Sequence, residues 1–161
     1  MRNARGFTLV EILVVVIVLG ILAAIIVPNV SSGRTDARMG ARETQMREVE
    51  KALEMYNNDN GVYPSTSNAW WGDCPSYGGR PYSGPTGYIP DLAPDYMAQL
   101  PRDPNPAYPV ADRGYLYRSN GTDFKFLAYR TPERFSANHP LYDPARPTTA
   151  WQISTTGAVN W

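Results

Sequence analysis

The 161-residue sequence predicts an α+β fold, in which one long N-terminal helix, first a transmembrane half and then an amphipathic half, packs on a small antiparallel sheet. Three observations carry this. Residues 12–27 are an unbroken apolar run inside an apolar stretch that begins at Phe7. Further on, Ala37, Ala41, Val49, Ala52, Leu53 and Tyr56 recur at steps of three and four, the spacing of one helix face. Finally, "GYLYRSNGTDFKFLAY" sets two aromatic-rich alternating runs about an Asn-Gly pair, which is a hairpin signal.

The totals exclude several functions. Fifteen basic and fifteen acidic side chains cancel, so no nucleic-acid partner is expected. With a single cysteine, Cys74, and a single histidine, His139, neither an internal disulfide nor a zinc cluster can form. Fifteen prolines, thirteen glycines and eleven tyrosines describe a loop-rich domain held by aromatic packing.

Residues 1–6 form a short basic leader with Arg2 and Arg5. Residues 7–30, as a helix rising about 1.5 Å per residue, would reach roughly 36 Å, enough for a hydrocarbon core of about 30 Å. The β-branched residues there are only fair helix formers in water, but lipid leaves a single segment no other way to satisfy its backbone. Glu11 is the anomaly, because an acid in such a run is costly to insert. A cleaved secretory signal, with "VSS" at 30–32 as its end, leaves that acid unexplained, and so does a plain signal anchor. A cut between Gly6 and Phe7 explains it. The new amine at Phe7 lies one helical turn from Glu11, and the acid can meet it within the chain or on a neighbouring chain shifted along the axis, where mispairing would be penalised.

The stretch "RGFTLVEILVVVIVLGILAAIIVPN" resembles the N-terminal segment of the type IV pilin family, pilins and type II secretion pseudopilins together. Gly6, Phe7, Thr8, Leu9, Glu11, Gly20 and Pro28 carry the match. The resemblance implies processing at Gly6 and Phe7, with removal of residues 1–6 and N-methylation of Phe7 by a prepilin peptidase. It also implies storage in the cytoplasmic membrane as a single-pass protein whose C-terminal domain lies outside the cytoplasm. A homo-oligomeric helical filament, periplasmic or extracellular, then follows through an inner-membrane assembly platform and minor pilin-like subunits. Glu11 and Phe7 would direct assembly. The arginines leave orientation to the resemblance, since Arg34, Arg38 and Arg42 follow the apolar run as Arg2 and Arg5 precede it. Gly20 and Pro28 weaken the helix and are expected to give flexibility for extraction and packing.

Residues 31–60 continue as the amphipathic half, with Glu43 four residues before Arg47. "NNDNG" at 57–61 supplies the stop: Gly61 takes a left-handed cap and Pro64 prevents resumption. The whole helix should be about fifty residues. "ALEMYNNDNGVYP" is also similar to the end of this helix in major pseudopilins of type II secretion.

Residues 61–113 are a loop region rich in proline, glycine and aromatics, where regular strands are not expected. Trp70, Trp71, Tyr77, Tyr82 and Tyr88 should fold back on the nearest apolar surface; the rival is an exposed patch for a sugar or a protein. A short helix is expected within 91–100. Residues 114–161 should form the antiparallel sheet. A type I′ turn at Asn120-Gly121 would pair Arg118 with Asp123, Tyr117 with Phe124, and Tyr115 with Phe126. "AWQISTTGAVNW" is either a second hairpin or one strand with a tail.

No enzyme is expected: nothing in the spacing unites Cys74 with His139, and Asp59, Asp73, Asp91, Asp95 and Asp103 sit in turn-like contexts. No cofactor is expected. The resemblance implies that a head of this kind can hold Ca2+ through aspartates and carbonyls, yet no compact acidic loop near the C-terminus matches such a site, and calcium stays open. The sequence thus points to a structural filament subunit, most like a major pseudopilin. The alternatives are a type IV pilus pilin for adhesion, motility or DNA uptake, and a membrane-tethered binding module.

Overall fold

The structure, a computed structural model, describes residues 7–161, the side chains of 25–31 apart. It divides into two compact units, Met1–Ala37 and Arg38–Trp161. Helix α1 runs Leu9–Asn60, 52 residues, and is continuous through Gly20 and Pro28. It ends as its residues dictate: Gly61 adopts φ 72° and its N–H bonds to the Asn57 carbonyl at 2.8 Å.

Within the second unit, α1 buries Arg42, Met46, Val49, Ala52 and Leu53, with Met39 and Tyr56 partly covered. Positions 39, 42, 46, 49, 53 and 56 form one stripe at alternating steps of three and four. The expected face was therefore right from Val49 onward. Upstream it is displaced: Ala37 is exposed and Ala41 half-buried, because larger Met39, Arg42 and Met46 fill that side. The expected Glu43–Arg47 pair gives way to Arg47–Glu50 at 3.0 Å.

The sheet contains β1 (Trp71–Gly72), β2 (Gly114–Ser119), β3 (Phe124–Tyr129) and β4 (Ala150–Ser154), in that order and antiparallel throughout. Alternation sorts its two faces. Tyr115, Tyr117, Phe124, Phe126, Trp151 and Ile153 join the helix stripe in the main core. Leu116, Leu127 and Ala150 turn the other way, under Cys74, Trp70, Tyr77 and Tyr129.

The β2–β3 hairpin corrects the expected register. Tyr117 pairs with Phe126, Arg118 with Lys125 and Ser119 with Phe124, two residues beyond the expected pairing. The turn is centred on Gly121-Thr122, closed by Asn120 N–H to Asp123 carbonyl at 3.2 Å, and only Gly121 has positive φ (96°). A type I′ turn on Asn120-Gly121 would need positive φ at both residues, whereas glycine first and alone is the type II′ pattern. Asn120, just past β2, accepts the N–H groups of Thr122 and Asp123 with its side-chain oxygen at 2.9 and 2.8 Å. A slip of two preserves each side chain's face. Tyr115–Phe126 and Tyr117–Phe124 consequently remain ring neighbours, at 5.2 and 6.2 Å, as diagonal rather than direct pairs.

Two further expectations change. The loop region contributes one strand, β1, of two residues, paired with Tyr117 and Leu116. Residues 91–100 form turns, not a helix: Asp91 has φ 58°, outside the helical range, and Pro94 lacks a backbone N–H. The C-terminal segment takes the strand-with-tail form, β4 followed by a 3-10 turn at Thr156–Ala158.

Candidate functional site

Helix α1 begins with a capping box. Thr8 precedes α1, and Glu11 reaches back to accept the Thr8 N–H and O–H, both at 2.8 Å, while the Thr8 hydroxyl accepts the Glu11 N–H at 3.3 Å. Sequence reasoning paired Glu11 only with the Phe7 amine and missed this nearer partner. The signal was legible as Thr-x-x-Glu ahead of an apolar run. Gly6 lies outside the described residues, as does the Pro28 side chain; Gly20 has open space around it.

From Ile12 to Ala24 the described side chains offer only apolar chemistry. Ile12, Leu13, Val14, Val15, Val16, Ile17, Val18, Leu19, Ile21 and Leu22 are each about half exposed, and Phe7 and Leu9 are 78% and 84% exposed. A helix apolar on every side needs an apolar surrounding, whether lipid or other helices. Among the described residues no helix is long and apolar enough to cross a membrane; the described side chains of this segment stop at residue 24.

In the second unit an ionic cluster ties α1 to two loops. Arg42, wholly buried, grips Asp103 in fork geometry (Nε to Oδ2 2.7 Å, NH2 to Oδ1 3.0 Å) and reaches Glu133 at 2.9 Å; Arg38 meets the other Glu133 oxygen at 2.7 Å. Desolvation works to raise the Glu133 carboxyl, but the two guanidiniums outweigh it and hold the group below its usual value. In the sequence Arg42 reads only as a flanking charge and Asp103 only as a turn former. Its turn role is real, since Asp103 Oδ1 also accepts the Asn105 N–H at 2.9 Å.

The aromatic loops fold back on the body of the domain as expected. Tyr88 is fully buried, with Tyr82 edge-on to it at 6.0 Å and Phe126 stacked at 6.4 Å. Tyr77 meets Tyr129 at 6.0 Å, while Trp71 lies under Arg80 at 3.3 Å.

Cys74 and His139 occupy opposite faces of the sheet. Cys74 is buried in the outer cluster, where burial first, and then Asp73, pushes its thiol up to about 11, away from the reactive thiolate. His139 stacks on Trp151 of the main core at 4.1 Å and its Nδ1 accepts the Leu141 N–H. Neighbouring Asp73 accepts the Tyr115 N–H at 2.9 Å and faces the Tyr82 hydroxyl at 3.5 Å. Burial above all, with Asp103 adding repulsion, lifts its carboxyl from 3.8 to about 7. Because the folded state then holds a proton that the unfolded state has lost, stability declines as pH climbs from about 4 to about 7. Asp73→Asn should flatten that decline and stabilise the domain at pH 8 by roughly 2–4 kcal/mol, measured by urea unfolding at pH 5 and pH 8.

Comparison with known proteins adds the lineage. Residues 1–27 match the family model described as the prokaryotic N-terminal methylation motif. The chain is 37% identical over 130 residues to the type II secretion system core protein G of Pseudomonas aeruginosa, covering 80% of this chain and 82% of that protein. The core protein G of Vibrio cholerae is 47% identical over 66 residues, 41% of this chain and 45% of that one. The type IV wide pilus major component PilA4 of Thermus thermophilus is 41% identical over 69 residues, 43% and 53% of the two chains. No solved structure matches. Since the Pseudomonas likeness extends well past the N-terminal segment into the sheet-bearing unit, this chain belongs to the family of the type II secretion system core protein G.

Proposed function

We propose that this protein is the repeating structural subunit of the type II secretion filament, a pseudopilin that polymerises through its N-terminal helix. The observation that carries this is a helix exposing apolar side chains from Ile12 to Leu22, with the Thr8–Glu11 pair at the start of the helix. Before assembly the helix resides in the cytoplasmic membrane with the second unit outside the cytoplasm. In the filament, helices of neighbouring subunits replace lipid, so apolar surroundings are exchanged for apolar surroundings and packing decides the outcome. A prepilin peptidase removes residues 1–6 and methylates Phe7, and the amine stays cationic. Glu11 then meets that amine on an adjoining subunit. An assembly platform and minor pilin-like subunits in the membrane feed the growing end.

A type IV pilus subunit is the second reading. The PilA4 likeness favours it only over a length comparable to the N-terminal helix, which both kinds of filament need. The first test is mass spectrometry of the mature protein from its native host. A chain starting at Phe7 and heavier by one methylene is the expected result. A retained leader, or cleavage near 30–32, would instead mean a tether or a secreted domain.

A further inference from the structure

The C-terminal tail is fastened by a buried positive charge. Lys125 lies in β3, and its side chain and that of Asp143 are both fully buried. Its ammonium donates to Asp143 Oδ1 at 2.9 Å, to the Val159 carbonyl at 2.8 Å and to the Trp161 main-chain oxygen at 3.2 Å. An ammonium has three N–H bonds, and three oxygens from two separate segments take them. Asp143 is fully engaged too: Oδ1 accepts the Ala145 N–H at 2.9 Å and Oδ2 faces Arg146 NH1 at 3.3 Å. The same Arg146 nitrogen reaches the Trp161 oxygen at 2.6 Å.

The sheet register makes Lys125 conspicuous. It stands directly across from Arg118, and like charges opposite one another weaken a strand pair. Each cation is drawn off to its own partner instead. Arg118 turns to Asn68 at 2.8 Å and to the Trp161 ring at 4.7 Å, and Lys125 to the oxygen cage. A lysine kept in that register against the local rule has a compensating role, and the cage supplies it.

A carboxylate with main-chain carbonyls is also the donor chemistry of a calcium site, which the family resemblance brings to a head of this kind. The residues here do not fit the ion. Calcium needs six to eight oxygens, whereas this cage offers one side-chain carboxylate, already shared by two cationic side chains. A divalent charge beside Lys125 and Arg146 would be repelled. Among the described residues no group of three or more His, Cys, Asp or Glu side chains is placed to hold a metal.

We propose that the Lys125 ammonium is a built-in cation that orders residues 143–161, so that this pseudopilin folds its tail without calcium. Burial lowers the Lys125 pKa while Asp143 opposes that shift, as befits an ammonium held by its cage rather than by water.

The test uses the full chain in detergent micelles, followed by tryptophan fluorescence on heating, calorimetric titration with calcium, and amide hydrogen exchange. The wild type is expected to melt at the same temperature in millimolar calcium and in excess chelator, and to take up no stoichiometric calcium. Lys125→Met is expected to melt earlier and to exchange the Ala158 and Trp161 amides, bonded to the Thr155 and Ala158 carbonyls, about tenfold faster or more. Calcium-dependent melting of the wild type, or stoichiometric calcium uptake by it, would overturn the proposal. So would unchanged protection of the tail in Lys125→Met. If that variant does not fold, the wild-type calcium measurements decide alone.

Discussion

Glu11→Gln should be cleaved and methylated like the wild type yet build no filaments. The choice of glutamine follows from the geometry. At the third helical position glutamine also completes a capping box, so its amide oxygen can keep accepting the Thr8 N–H while the negative charge is gone. The variant therefore separates two roles for one side chain. If Glu11 acts only as a helix cap, Glu11→Gln assembles normally and Glu11→Ala is mildly impaired by fraying of the first turn. If Glu11 meets the Phe7 amine of an adjoining subunit, both variants leave a cation without its counter-charge in a dry helix bundle, and both fail. Shearing of cells followed by immunoblotting measures assembly, and mass spectrometry of the membrane-bound pool measures processing. Wild-type filament yield from Glu11→Gln would remove the charge pairing from the proposed function and leave the capping role alone.

Arg42→Met should be the most destabilising single change in the sheet-bearing unit. Methionine fills the stripe between Met39 and Met46, so packing is roughly conserved, but the fully buried Asp103 carboxylate loses its cation. Breaking a buried pair in this way costs about 3–5 kcal/mol, which for a unit of this size lowers the melting temperature by roughly 10–20 °C. Adding Asp103→Asn should recover most of that loss. Asparagine keeps the acceptor for the Asn105 N–H, and a neutral amide no longer needs Arg42. Thermal melts of the two single variants and the double variant form a cycle, and additive losses would show that the pair is not coupled. Glu133 adds an acid-sensitive component. Its lowered pKa gives stability that is present above the ordinary carboxylate value and disappears as pH falls through and below it.

The apolar half of the helix and its C-terminal end were readable because they depend on neighbours in sequence. Residues 9–24 are apolar at nearly every position, the expected face holds from Val49 to Tyr56, and Gly61 carries only a hydrogen, which suits its left-handed φ. The hairpin was half readable. Alternation assigned Tyr115, Tyr117, Phe124 and Phe126 to one face, but Asn120-Gly121 and Gly121-Thr122 are both acceptable turn centres. In the observed register Asp123 accepts the Thr155 hydroxyl at 2.6 Å from beyond β4, a contact between residues 32 positions apart that the local letters do not reveal.

By itself the sequence determined the apolar helix, the amphipathic continuation and the α+β class, since each follows from periodicity or from residues within one turn of one another. Tertiary structure alone decided which charges are interior. Arg42, Asp103, Lys125 and Asp143 look like ordinary surface or turn residues in the chain, and become buried pairs because partners 61 and 18 residues away arrive to share their charge. Desolvation is set by three-dimensional neighbours, and one-dimensional patterns carry no record of them.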